Sequence, residues 1–330
     1  MSLLSKLGFA SVLPIAAAAL ACGGGDGAVM FDSGAAPGDT HDADLVGDAF
    51  LMGDAGGPGL GPSFFYANSD TTLYALDPKQ IMGAPVKVGD FDCVPSQTAV
   101  MTDVAVDKNG KLYGVSTSAA WPLTIQNGVV HCEAKWPLPP STHFNGLTVA
   151  PENTVDAKEV LIGGNQTGEV YRIDSVTGNI TQVGSLGTDP NTGKPWGVSG
   201  DMVFMANNGN PIGFASVRTC DTPTSCDLTD TLVEIDVAKV KPGTQSIVKT
   251  IRGPIVKGAQ CGNASSPKTF GSIFGVVALG AEVYGFSRRG DFVDIANVDG
   301  SGCLLWADST IKFAGAAITT VAPVTAPPPK

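Results

Sequence analysis

The sequence predicts an all-β fold, and three observations predict it. Charged residues make up only 15% of the chain, while glycine is abundant, at 42 of 330 residues. Short segments alternate polar and apolar positions, as strands with two different faces do. A four-strand pattern recurs along residues 63–322 with a base interval near that of a propeller blade.

The strands can be taken in order as A to D, from the inside outward. The A segments are small and apolar and follow a Gly or Asp: Asp103–Val106, Gly146–Val149, Gly200–Phe204, Gly275–Ala278 and Gly315–Ile318. Crowding around an axis calls for such residues. The B segments are 64–67, Leu112–Val115, Val160–Gly163, Ile212–Ala215 and Val283–Phe286. The C segments begin at Leu73, Leu123, Val170, Leu232 and Phe292, and the clear copies alternate strictly. The D segments are Val86–Val88, Glu133–Trp136, Thr181–Val183, Ile247–Thr250 and Leu304–Trp306.

The first group lacks an A strand before it, and the last A segment, around Ile318, lacks B to D after it. Joining the two closes a ring of five four-stranded blades and removes an exposed edge, the velcro closure. Successive A strands lie 43, 54, 75 and 40 residues apart. The interval of 75 calls for long loops or a sixth blade. Loops are the expectation, since Cys220–Cys226 and Gly258–Thr269 read as irregular.

Four regions follow. Residues 1–21 combine Lys6 with the apolar run Leu7–Leu20, too short to span a bilayer and ordered as a signal peptide. Residues 22–62 hold seven aspartates between Asp26 and Asp54 with no Lys or Arg, and much Gly, Ala and Pro. They are expected to be a disordered acidic tether. Residues 63–322 are the β domain and 323–330 a Pro-rich tail. The net charge of −11 lies mostly in the tether, and no basic patch with aromatics argues for a nucleic-acid partner.

The segment Ala19-Leu20-Ala21-Cys22 resembles the bacterial lipobox, although that family prefers Leu where Ala19 stands. The resemblance implies lipidation of Cys22 and an exported protein anchored to the cell envelope, with the outer membrane as the expected surface. Seven cysteines fit this reading, because removing Cys22 leaves an even six. Symmetry pairs two of the three disulfides. Cys93 follows strand D of the first group and Cys132 opens strand D of the second; Cys261 and Cys303 stand likewise in the fourth and fifth. The expected bonds are Cys93–Cys132, Cys261–Cys303 and the short loop Cys220–Cys226. A return of Cys261 to Cys220 or Cys226 is the alternative.

The segment Thr102–Tyr113 resembles the repeats of NHL, SMP-30/gluconolactonase-like and YVTN-type propellers. That resemblance implies fold rather than function. In gluconolactonase-like enzymes it also implies a calcium site of acidic and Asn ligands in the channel. The channel-rim positions here are Thr102, Asn145, Ser199, Phe274 and Ala314, with Asp103 and Asp201 beside them. They supply at most one poor metal site, so no cofactor is expected beyond that calcium ion.

Other chemistry is sparse. His131-Cys132-Glu133 lacks the P-C-x-x-C of zinc deaminases, and Ser265-Ser266-Pro267-Lys268 lacks the helix that an S-x-x-K needs. Asp107–Gly110 reads as a hairpin turn. Arg288 and Arg289 are candidate anion contacts, with a solvated turn as the plainer reading. Trp121, Phe144, Trp196, Phe270 and Phe313 sit at blade junctions and are expected to pack as wedges, with one or two on a ligand pocket. Two function classes follow. One is a binding or scaffold module for an envelope protein or glycan. The alternative is a metal-dependent hydrolase of the SMP-30-like kind.

Overall fold

Segments that alternate or are short and apolar cannot bury both faces alone, so they pair edge to edge and stack face to face. The computed structural model describes residues 65–77, 81–139, 143–206, 209–222, 225–255, 257–280 and 282–321. The expected signal peptide (1–21), Cys22, the 22–62 tether and the 323–330 tail lie outside the described residues. Strands are the main element of what is described, joined by turns and one short 3-10 turn, Val237–Lys239. No helix among the described residues is long and apolar enough to cross a membrane.

The first group is β1 (Phe65–Ser69), β2 (Thr72–Leu76) and β3 (Val86–Phe91), antiparallel in that order. The second is β4 (Asp103–Val106), β5 (Leu112–Val115), β6 (Ala119–Gln126) and β7 (Val129–Cys132), with β8 (Trp136–Pro137) beside the start of β6. The third is β9 (Phe144–Ala150), β10 (Val160–Asn165), β11 (Glu169–Ile173) and β12 (Ile180–Ser185). The fourth comprises β13 (Trp196–Met205), β14 (Ile212–Thr222), β15 (Ser225–Cys226), β16 (Thr231–Ile235), β17 (Gly243–Ser246) and β18 (Val248–Pro254). In this group β13, β14, β16 and β18 form the sheet. After β19 (Lys257–Gln260) and β20 (Asn263–Thr269) comes the fifth group: β21 (Ile273–Leu279), β22 (Glu282–Ser287), β23 (Asp291–Ile295) and β24 (Gly302–Ala307).

The last strand, β25 (Phe313–Ile318), pairs antiparallel with β1, Ala67 opposite Ala316. Because β3 also runs parallel to β7, groups one and two form one sheet from β25 round to β4. Its two end strands pack against each other, so this sheet is nearly closed and barrel-like. The innermost strands neighbour one another in a cycle: β4 with β9, β9 with β13, β13 with β21, β21 with β25 and β25 with β4.

The core follows the same cycle. Five buried apolar clusters each lie between two successive strand groups, and each contains one of the five aromatic residues expected as wedges: Trp196, Trp121, Phe313, Phe144 and Phe270. Flat sheets with two apolar faces need a bulky filler in each gap, because twist splays neighbouring sheets apart toward the rim.

Three expectations need correction. Strand D of the second group is Val129–Cys132, not Glu133–Trp136, so Cys132 ends that strand rather than opening it. The cause is a two-residue hairpin turn, Asn127-Gly128, with φ of 52° and 73°. Asn-Gly is favoured in such a turn because both residues tolerate positive φ. The segment 220–226 is not irregular but a hairpin of β14 with β15, Cys220 opposite Cys226. Nor is 258–269 a loop: β19 and β20 pair with each other, and β19 adds parallel to β24. β17 likewise adds parallel to β12. The long interval therefore supplies strands that cover the outer edges of neighbouring sheets, which exposed edges favour.

Six cysteines are joined in three disulfides, Cys93–Cys132, Cys220–Cys226 and Cys261–Cys303. The first links the segment after β3 to the end of β7, and the third links the segment after β19 to β24.

Candidate functional site

An inner strand offers its free backbone edge to the axis, so what surrounds the axis is peptide groups and the small side chains beside them. Along the downstream halves of β4, β9, β13, β21 and β25 these enclose a cavity of about 310 Å³. Val106, Val149, Phe204, Val277, Ala317 and Thr320 are among its walls, and no lining residue among those described carries a charge. The volume falls at the low end of small-molecule sites. The aromatic wedges do not line it; all five are consumed by packing.

At the upstream end the axis is closed. Asp103 of β4 and Asp201 of β13 are buried there, 0% and 1% exposed. Asp103 Oδ1 accepts from Val104 N (2.8 Å) and Ala316 N (3.0 Å), and its Oδ2 from Leu147 N (2.6 Å). Asp201 accepts from Met202 N (2.5 Å) and, more distantly, Val276 N (3.4 Å). Burial first, and then the charge of Asp201, push the Asp103 carboxyl well above the usual carboxylate range; burial does the same to Asp201.

This donor set does not fit the calcium ion implied by the gluconolactonase resemblance. The axis presents peptide N–H groups, positive ends first, and the carboxylate oxygens are occupied by them. A hard cation needs six to eight free oxygens.

Of the remaining rim residues, Thr102 and Asn145 tie neighbouring inner strands, while Ser199 bonds within its own group. Thr102 Oγ1 donates to the carbonyls of Val115 (2.9 Å) and Phe144 (3.0 Å), Asn145 Nδ2 donates to Val198 O (2.9 Å), and Ser199 Oγ meets Ser216 Oγ at 3.1 Å. Phe274 lies between two cations, with the guanidinium carbons of Arg218 and Arg288 5.6 and 5.4 Å from its ring centre. Arg288 is also held by both oxygens of Asp70, at 2.6 and 3.2 Å. Arg289 donates to Thr269 O and stands 3.5 Å from Asp291.

Sequence reasoning missed Arg218 and Asp230. They form a bidentate pair, Asp230 buried and Arg218 partly so: Nε to Oδ1 is 2.7 Å and Nη2 to Oδ2 is 3.1 Å. Asp230 Oδ2 also accepts from Ile273 N at 2.7 Å, fixing the start of β21. No motif signals this pair, because Arg218 lies on β14 and Asp230 in the segment before β16.

A second cavity, also about 310 Å³, shares Val149 with the axial one and is lined by Asp107, Lys108, Glu152, Lys158 and Glu159. Its charges are largely matched. Lys108 Nζ meets Glu152, and Glu159 accepts from Lys108 N (3.1 Å) and from Thr320 Oγ1 of the axial wall. Asp107 Oδ1 caps its own turn through Asn109 N (2.8 Å) and Lys111 N (2.9 Å).

The His131-Cys132-Glu133 segment holds no metal set. Cys132 is bonded to Cys93, His131 Nδ1 is 2.8 Å from Asp92, and Glu133 accepts from Thr124 Oγ1 at 2.5 Å. Ser265 and Lys268 lie three apart on β20, so strand alternation sends them to opposite faces.

No protein-family model and no curated protein matches this chain. Among solved structures it is similar to a protein of unknown function from Bacteroides caccae, at 11% identity and a TM-score of 0.41, covering 78% of this chain and 98% of that one. It is also similar to BBS1N in complex with ARL6DN, at 11% identity and a TM-score of 0.33, covering 76% of this chain and 66% of that one.

Proposed function

We propose that this chain is a lipid-anchored protein of the bacterial cell envelope whose five-bladed propeller is a binding module, with the axial cavity as its recognition site. The five-part cycle of inner strands and clusters supports the blade count, and the pairing of β25 with β1 supports velcro closure. The observation that carries the binding reading is the axial cavity itself. It is walled by all five inner strands and bears no charge among its described residues, and the nearby Asp103 and Asp201, which do not line it, have their oxygens already bonded to the backbone. Such a site can enclose a ligand group but offers no poised acid, base or nucleophile. An acidic tether on a lipidated Cys22 would hold that cavity away from the bilayer.

The test combines fractionation with capture. In the full chain, Cys22→Ser should move the protein from the membrane fraction to the soluble one; retention would defeat the anchor. Affinity capture of envelope proteins and glycans should return a partner that is lost with Thr148→Trp, which fills the cavity. A partner held equally by both would place recognition elsewhere, and no partner across a broad screen would count against a binding role.

A further inference from the structure

At the upstream end of the axis the two carboxyl groups reach every inner strand. Each inner strand leaves one N–H, at the same place in the strand, facing the axis without a sheet partner: Val104, Leu147, Met202, Val276 and Ala316. These five belong to β4, β9, β13, β21 and β25, so every inner strand is represented. A buried N–H without an acceptor is costly, and the two aspartates accept all five. The position that Asp103 and Asp201 hold on β4 and β13, one residue before these N–H groups, is glycine on the other three strands, Gly146, Gly275 and Gly315. A Cβ on Gly315 would sit 1.9 Å from Asp103 Oδ1.

The two aspartates meet at the start of β9, where Leu147 N donates to Asp103 Oδ2 at 2.6 Å and a Cβ on the preceding Gly146 would lie 3.1 Å from the Asp201 Cα. A bond between two carboxyl oxygens requires a hydrogen, and the backbone N–H groups are already spent on other contacts. The titratable group facing each aspartate is the other one. Two ionised carboxylates in contact, both out of water, would repel with little screening.

We propose that Asp103 and Asp201 share one proton at neutral pH and work as a proton-dependent clasp, pinning the five inner strands to a common axis. The clasp does not depend on which ligand the cavity takes, or on whether it takes one. Losing the proton leaves two carboxylates in contact, so the clasp loosens as the medium becomes alkaline. The sign follows from linkage. Unfolded aspartates lose their protons near pH 3.9, about the ordinary value. The folded pair keeps one well above that, so the native state binds more protons. Its contribution to stability is complete below the unfolded value and is lost as pH rises through the folded one.

Infrared spectroscopy of the full chain in D2O reads the proton directly, as a carboxylic-acid C=O band at neutral pH. The expected result is a band that disappears in Asp201→Asn and in Asp103→Asn, and that titrates away in the wild type together with thermal stability. In Asp201→Asn an amide N–H replaces the shared proton and the neighbouring charge is gone, so the alkaline loss of stability should be smaller than in the wild type. Absence of the band from the wild type at neutral pH would overturn the proposal. So would a band that survives both substitutions, or an unchanged pH slope in Asp201→Asn. If neither variant folds, the wild type decides alone: the band and the stability must be lost together on alkaline titration.

Discussion

Asp230→Ala tests whether the Arg218–Asp230 pair at the head of β21 organises that end of the axis. Asp230 is 2% exposed and holds Arg218 through two hydrogen bonds, of 2.7 and 3.1 Å, and Ile273 N through a third, of 2.7 Å. Removing one member of a buried ion pair costs about 3–5 kcal/mol, because the other charge stays behind unpaired. Orphaning the Ile273 N–H costs about 1–3 kcal/mol more. The two overlap, since both count part of the same desolvation, so a loss of about 4–6 kcal/mol is expected. The carbonyl of Asp230, which accepts from Ile255 N at 2.7 Å, is untouched and should keep the local backbone path. The assay is denaturant unfolding of the full chain for wild type, Asp230→Ala, Arg218→Met and the double variant. Replacing Arg218 as well removes the orphaned cation, so the double variant should be more stable than Asp230→Ala alone, a coupling of about 1–3 kcal/mol. Losses that simply add, or a loss below about 1 kcal/mol in Asp230→Ala, would refute the reasoning.

The disulfides should rank by loop size. Replacing Cys93 and Cys132, or Cys261 and Cys303, by Ala opens loops of 39 or 42 residues and should cost about 4 kcal/mol each; the six-residue loop of Cys220–Cys226 should cost about 2 kcal/mol. Equal losses in thermal unfolding would contradict the ranking. Gly315→Ala should cost more than 3 kcal/mol or abolish folding, because its Cβ would also lie 2.6 Å from the Asp103 Cα. Gly262→Ala, at φ 75° with open space around it, should cost only about 1–2 kcal/mol. Asp103→Asn should destabilise more than Asp201→Asn by about 1–3 kcal/mol, since an amide nitrogen at Oδ2 would face Leu147 N at 2.6 Å, whereas the Asp201–Val276 contact is already long. Arg288→Met should change stability by less than about 1 kcal/mol, because the ion pair with Asp70 is over one-third exposed on both sides.

Much of the strand plan was legible because it depends on neighbours in the chain. Alternation in Val170–Ile173 and Leu232–Ile235, and small apolar runs after Gly or Asp, mark strands whatever surrounds them. The spacing of the disulfide pairs was legible for a related reason, since Cys93 and Cys132, like Cys261 and Cys303, stand about one repeat apart. The points they occupy are not equivalent: Cys132 ends its strand D, and Cys261 follows the added strand β19. The second D strand was misplaced because the Asn127-Gly128 turn, a strong local signal, went unused beside the more conspicuous Trp136.

What tertiary structure alone decided are the contacts between chain segments with no local relation. Lys257–Gln260 becomes a strand because the edge of β24 is there to receive it, and Gly243–Ser246 because β12 is. Asp103 and Asp201 looked from sequence like half of a metal site. Their surroundings make them acceptors for five peptide N–H groups, because closing the strands into a cycle turns every free inner edge toward one line. A sequence names the carboxylates, but only the closure of the chain on itself determines whether they meet a cation, water or the backbone.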